Sequence, residues 1–165
     1  MNSSKMDVIL HLGQHKTGSK ALQAALSYNQ KSLAKAGILY PNLCPKHPVV
    51  AYQISHFKLF TLLRYRAMKQ SGDEKAESFW KLHHELAFPD QSPEDLFKKL
   101  HREAIQSNSH TLILSAEDLF DMHTAQELDF EPTLIASAAS QLKVCCEQFG
   151  FSPRLLIYLR RQDYL

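Results

Sequence analysis

The sequence predicts an α/β fold in which helices flank a parallel sheet in three layers. Three short apolar segments have the character of strands, at residues 7–12, 111–115 and 154–159. Longer stretches with helical periodicity separate them, and strands that alternate with helices form parallel sheets through crossover connections. Because such sheets bind ligands where their strands end, the segments that follow these strands are the first places to look for function.

The chain has 165 residues, which fits a single domain with its own hydrophobic core. With 22% charged residues and a formal net charge of +2, the composition favours neither nucleic acid nor a membrane surface as a partner. The longest apolar runs are too short to cross a bilayer, and residues 1–6 lack the apolar core of a secretory signal. Three cysteines, two of them adjacent, fit no disulfide framework, so we expect a cytoplasmic protein with buried or idle thiols.

Helices are predicted from apolar periodicity and from signals at their ends. The first is expected over residues 19–36, with Ala21, Leu22, Ala25 and Leu26 facing the core and Gly37 ending it. Ser92, followed by proline and two acidic residues, is a typical helix start. The remaining helices are expected at residues 50–68, 74–87, 92–106 and 132–149.

A polar turn between the first strand and the first helix concentrates positive charge. The lysines at positions 16 and 20, together with backbone N–H groups at the helix start, would converge on one anionic site. The spacing from Gly13 to Gly18 is that of a Walker A loop, but serine and then lysine follow, in place of lysine and then serine. An ordinary strand-to-helix turn with solvated lysines is the alternative interpretation.

Residues 15–23, HKTGSKALQ, resemble the phosphosulfate-binding loop of sulfotransferases that use PAPS (3′-phosphoadenosine 5′-phosphosulfate). The likeness extends to GILYP at 37–41, LSAE at 114–117 and LIYLRRQD at 156–163, in family order and over nearly the whole chain. It implies the P-loop NTPase-like topology of sulfotransferases, in a single truncated domain over residues 1–165 that lacks the family's usual C-terminal portion. It also implies transfer of a sulfonate group from PAPS to a hydroxyl or amine of a small-molecule or carbohydrate acceptor.

The resemblance also implies which residues bind the cofactor: Lys16, Thr17, Gly18, Ser19, Lys20 and Arg160. Lys16 would neutralise the charge that develops on the bridging oxygen as the sulfonate leaves. Arg160 would bind the 3′-phosphate through a charge-assisted contact. Lys20 stands where the family has a hydroxyl residue, and it would either remove a hydrogen bond or supply a second cation.

The acceptor's proton needs a base, and similarity to family members with a carboxylate at this place points to Glu117. The alternative for Glu117 is an acidic residue in the first turn of a helix, favoured there by the helix dipole, and Asp118 shares this ambiguity. His15 is a competing base, or it shapes the loop. His11, within a strand, is expected to be a hydrogen-bonded core residue.

Two other functions remain open from the sequence. A P-loop kinase is disfavoured by the position of Lys16 and by the absence of a clear Walker B aspartate, and a non-catalytic remnant would bind a nucleotide, simple phosphate or nothing. No metal site is expected, since His83 and His84 are adjacent on a helix and their side chains diverge. A half-sheet would expose one edge, which self-association could cover.

Overall fold

The computed structural model of the protein describes residues 5–13, 18–43, 53–83, 92–116 and 132–158. These residues form a four-stranded sheet with flanking helices. The strands are β1 (Met6–Gly13), β2 (Ile38–Leu39), β3 (Thr111–Ala116) and β4 (Phe151–Tyr158). The helices are α1 (Ser19–Tyr28), α2 (Gln30–Lys35), α3 (Phe57–Ser71), α4 (Ala76–His83), α5 (Pro93–Gln106) and α6 (Pro132–Gln148).

All pairs in the sheet are parallel, and the strand order is β2-β3-β1-β4. This is neither the Rossmann nor the flavodoxin-like order of doubly wound sheets. Strand β1 lies inside the sheet, with His11 beside Ser115 of β3 and Gly13 beside Tyr158 of β4. The carboxyl ends of three strands therefore meet at one edge of the sheet, as the sequence predicts.

The two faces of the sheet differ in the helices that cover them. On one face, the alternate β1 residues Val8, Leu10 and Leu12 are buried in a core built with α3, α5 and α6. The intervening residue His11 points to the opposite face, where it shares a polar contact with α1 through Ser115. The fold is therefore a parallel sheet between two helical layers, and this part of the predicted fold class is confirmed.

Local end signals in the sequence are confirmed in several places. Ser92 forms a reciprocal capping box with Asp95 at the start of α5, and the helix ends at Gln106 as predicted. Gly37 and Gly150 both have a φ of 73°, the left-handed conformation expected of a residue that ends a helix. Within the described residues, no helix is long and apolar enough to cross a membrane.

Three predictions about the elements are wrong. The sheet has a fourth strand, β2, whose two residues are too few for a periodicity signal. The first helix breaks at Asn29 into α1 and α2, and Ala21 and Ala25, predicted to face the core, are exposed. The helix predicted over residues 50–68 is not continuous: residue 53 is helical, residues 54 and 55 form bends, and α3 begins at Phe57; residues 44–52 lie outside the described part of the chain.

Strand β4 forms one edge of the sheet and carries apolar residues on both faces. Leu155, Leu156 and Ile157 are 64%, 41% and 50% exposed. A continuous apolar sequence of this kind is typical of strands inside a parallel sheet, which are buried on both faces. The strand begins at Phe151, earlier than predicted, because an edge strand tolerates a proline such as Pro153. The expectation that self-association covers this edge stays a prediction.

Candidate functional site

Helix α1 begins near the carboxyl edge of the sheet, and its N-cap residue, Gly18, has no side chain with which to cap it. Gly18 precedes it with a φ of 88°, and the Gly18 carbonyl accepts hydrogen bonds from the N–H groups of Ala21 (3.0 Å) and Leu22 (3.2 Å). The N–H groups of Ser19 and Lys20 thus lie ahead of the first bonds within the helix. Groups in this position are those that bind anions at helix N-termini.

The starts of α5 and α1 contrast in charge and capping. Helix α5 has the Ser92 cap and two acidic residues, Glu94 and Asp95, in its first turn. The first turn of α1 has no acidic residue and carries the exposed Lys20 instead. Because a cation at the positive end of a helix costs about 0.3–1 kcal/mol, the composition of this turn opposes helix stability and favours an anion in front of it.

Beneath the start of α1, a buried polar cluster joins β1, α1 and β3. His11 Nδ1 and Ser115 Oγ share a hydrogen bond of 2.7 Å, and Gln23 Nε2 donates to the same Ser115 Oγ at 3.1 Å. All three residues are buried. The prediction that His11 is a hydrogen-bonded core residue is therefore confirmed.

Buried polar side chains concentrate at this edge of the sheet. Among the described residues, four buried polar side chains are joined here by hydrogen bonds: His11, Gln23, His56 and Ser115. Burial of a polar group costs free energy unless hydrogen bonds compensate it, so cores are otherwise apolar. Their concentration at one end of the sheet marks that end as the candidate site.

His56 pairs with the outer side of β3, next to the site. Its backbone N–H donates to the Ser115 carbonyl (2.8 Å), and the Ser115 N–H donates to His56 Nδ1 (2.8 Å). Nε2 bonds to the Pro41 carbonyl (2.9 Å), which can only accept, so the proton of the neutral ring is on Nε2. His56 thereby takes the place of a neighbouring strand at a point that the short β2 does not reach.

Burial shifts the pKa values of two groups in this region. The pKa of His56 is lowered to about 4, mainly by burial and against the effect of its hydrogen bonds to Pro41 and Ser115. Burial raises the pKa of Tyr40, whose ring contacts the His56 ring edge to face with centroids 4.7 Å apart. Both side chains are therefore neutral near pH 7 and act as hydrogen-bonding groups rather than charges.

Some of the predicted site residues lie in the described part of the chain and others do not. Gly18, Ser19 and Lys20 form the start of α1. His15, Lys16, Thr17, Glu117 and Arg160 lie outside the described residues. In the chain, Glu117 directly follows the last residue of β3, and Arg160 comes two residues after the last residue of β4.

The thiols and the histidines give no further site among the described residues. Cys145 and Cys146 are free and buried, and burial raises their pKa values to about 11 and about 12, so both are protonated and unreactive. Cys44 lies outside the described residues. In the part of the chain that the structure describes, no three His, Cys, Asp or Glu side chains are grouped as metal ligands.

Gln23 and His56 are the site residues that the sequence interpretation missed. Gln23 is four residues after Ser19, so two polar side chains share one face of α1, but this spacing does not identify the partner Ser115, which is 92 residues away in the sequence. His56 gave no local signal either, because its partner Ser115 is 59 residues away in the sequence. Comparisons of the chain with protein-family models, with curated proteins and with solved structures give no match.

Proposed function

We propose that the protein binds PAPS at the carboxyl edge of its sheet and transfers the sulfonate group to a hydroxyl or amine acceptor. The observation that carries the proposal is the joint position of the ends of β1, β3 and β4 with the uncapped, basic start of α1. Of the four segments that resemble sulfotransferases, one follows β1, two overlap the carboxyl ends of β3 and β4, and the one at 37–41 contains β2.

The backbone at the start of α1 is compatible with a bound anion. A Cβ placed on Gly18 would meet nothing within 4 Å among the described residues. The positive φ of Gly18 turns the chain there without a side chain. Backbone N–H groups and a cation are what a phosphosulfate group requires.

The chain's own residues then have distinct roles. PAPS supplies a sulfonate group on an activated phosphosulfate bond. Lys16 and the N–H groups at the start of α1 stabilise negative charge on the leaving phosphate oxygen, which needs no metal ion. Glu117 accepts the proton from the acceptor's hydroxyl or amine, and Arg160 binds the 3′-phosphate.

Isothermal titration with adenosine 3′,5′-bisphosphate tests the nucleotide site. We expect binding in the presence of a chelator, and we expect Lys16→Ala to weaken it by about 2 kcal/mol, roughly 30-fold, because a charge-assisted contact is lost. Equal affinity of the two proteins would contradict the role of Lys16. Binding that requires magnesium would favour a kinase, and binding with no turnover would favour the non-catalytic remnant.

A pair of glycine substitutions separates ligand binding from backbone strain. Gly18 and Gly72 both have positive φ values, 88° and 72°, and neither has an atom of a described neighbour near the position of an added Cβ. Alanine at either position costs about 1 kcal/mol of unfolding free energy, measured in urea. Only Gly18→Ala should also weaken nucleotide binding, and equal affinities of the two variants would argue against an anion at the start of α1.

A further inference from the structure

We propose that Gln23 is a positioning residue for the nucleotide site, which it serves by holding the start of α1 against the end of β3 through Ser115. The inference rests on the proposed function, since the site that Gln23 positions is the nucleotide site. Gln23 itself need not touch the ligand. The resemblance assigns no role to Gln23, although the matching segment, residues 15–23, ends at this residue.

The contact between α1 and the sheet is polar, which is unusual for a helix that packs on a sheet. Ser19 and Gln23 are the buried residues of α1, whereas the apolar Leu22 and Leu26 are only partly buried. Apolar contacts are non-directional and tolerate sliding, while a hydrogen bond fixes both distance and angle. The bond from Gln23 Nε2 to Ser115 Oγ therefore sets where α1 begins.

Ser115 is a firm anchor for this bond. Its N–H and its carbonyl both pair with His56, and its side chain also bonds to His11 on the neighbouring strand. Ser115 is fully buried. Because these bonds fix the position of Ser115, the hydrogen bond from Gln23 positions α1 relative to β3.

The bond between Gln23 and Ser115 also links the proposed nucleotide-binding turn to the segment that carries the proposed base. Gln23 is one helical turn, about 6 Å along the axis, from the Ser19 that begins the anion-binding turn. Ser115 is two residues before Glu117, the proposed base. Loss of the bond should therefore disturb the nucleotide site while the core on the other face of the sheet stays intact.

The test compares Gln23→Met with Gln141→Met, the same substitution at a matched control. The Gln141 amide donates to Gln70 Oε1 at 2.9 Å between α6 and α3. Gln70 is 14 residues after His56, and 14 residues of helix span about 21 Å, so this bond lies away from the site. Ser115→Ala and the double variant Gln23→Met/Ser115→Ala complete a double-mutant cycle.

Affinity for adenosine 3′,5′-bisphosphate is measured at a temperature where circular dichroism shows every variant fully folded. If Gln23 contributed only to stability, the affinity would not change under these conditions. We expect about tenfold weaker binding for Gln23→Met and for Ser115→Ala, with no further loss in the double variant. We expect wild-type affinity for Gln141→Met. Should Gln23→Met fail to fold, Ser115→Ala, the smaller change, gives the same readout.

Three results would overturn the inference. The first is that Gln23→Met and Ser115→Ala both bind the nucleotide with wild-type affinity. The second is that the fold losses of affinity of the two single variants multiply in the double variant. The third is that Gln141→Met loses as much affinity as Gln23→Met. Absence of binding by the wild-type protein is a different result. It would overturn the proposed function, and the inference with it.

Discussion

Substitution of Glu117 by glutamine should lower turnover by a factor of about 10² or more, which is the usual contribution of a general base. The amide keeps the size of the side chain but cannot accept the acceptor's proton. Affinity for adenosine 3′,5′-bisphosphate should stay at the wild-type value, since the proposed contacts to the nucleotide come from other residues. Release of this nucleotide from PAPS, with a panel of hydroxyl and amine acceptors, measures the turnover.

The proposed role of Glu117 as a base requires that the residues before it be firmly held. A base contributes when it is kept within hydrogen-bonding reach of the proton that it removes. Ser115, two residues earlier, is bonded through its backbone to His56 and through its side chain to His11 and Gln23. The segment that carries Glu117 therefore leaves the sheet from a fixed point next to the start of α1.

Two neighbouring side chains serve as controls for this prediction. Asp118→Asn removes the adjacent carboxylate, and His15→Gln removes the competing base in the loop after β1. We expect both variants to retain most of the turnover. If Asp118→Asn or His15→Gln lost activity while Glu117→Gln kept it, the base would have to be reassigned to that residue.

Features that depend on neighbours in the sequence could be predicted. The start of α5 followed from Ser92, Pro93 and two acidic residues within four positions, and the capping box has that form. Likewise, Gly37 and Gly150 ended their helices because only glycine adopts the left-handed conformation without strain. The shared edge of three strand ends also followed, since parallel strands joined by helices all end on the same side.

Features that depend on distant partners could not be predicted. The apolar periodicity predicted that alanines and leucines of α1 face the core. In the structure, the sheet beneath the first turns of α1 presents the polar side chains of His11 and Ser115. Gln23 therefore became the buried residue and the alanines became exposed. The partners of Ser115 are 59, 92 and 104 residues away in the sequence, so no local pattern reveals them.

His56 should make the stability of the protein depend on pH between 6.5 and about 4. The ring is fully buried, and Nδ1 accepts the Ser115 N–H while the proton on Nε2 is bonded to the Pro41 carbonyl. A second proton would have to go on Nδ1, where it would face the Ser115 N–H. Although the Ser115 carbonyl lies 3.3 Å from Nδ1, protonation would break the buried hydrogen bond from the Ser115 N–H and place a charge on a fully buried ring.

The sign of the effect follows from the difference in pKa. The ordinary value for histidine is 6.5, and burial lowers the pKa of His56 to about 4 in the folded protein. Between these values the unfolded chain binds a proton that the folded protein does not, so stability is complete above pH 6.5 and falls as the pH drops towards 4. The total loss is about 3 kcal/mol, since each pKa unit corresponds to about 1.4 kcal/mol.

Urea unfolding at a series of pH values, with wild type and His56→Asn, isolates this effect. Carboxylates such as Glu77 and Asp95 also lose stabilising contacts in acid, because hydrogen bonds from Lys69 and Ser92 lower their pKa values. The difference between the two proteins removes these shared contributions. The asparagine variant should be less stable at pH 7.5, because its shorter side chain no longer bonds to Pro41, and the gap should narrow by about 3 kcal/mol by pH 4.

Parallel stability profiles for wild type and His56→Asn would show that His56 does not titrate in this range. Because His56 pairs with both backbone groups of Ser115, its protonation acts on the same residue that anchors Gln23 and precedes Glu117. In the folded protein this protonation becomes substantial only near pH 4, and there it should also weaken the nucleotide site.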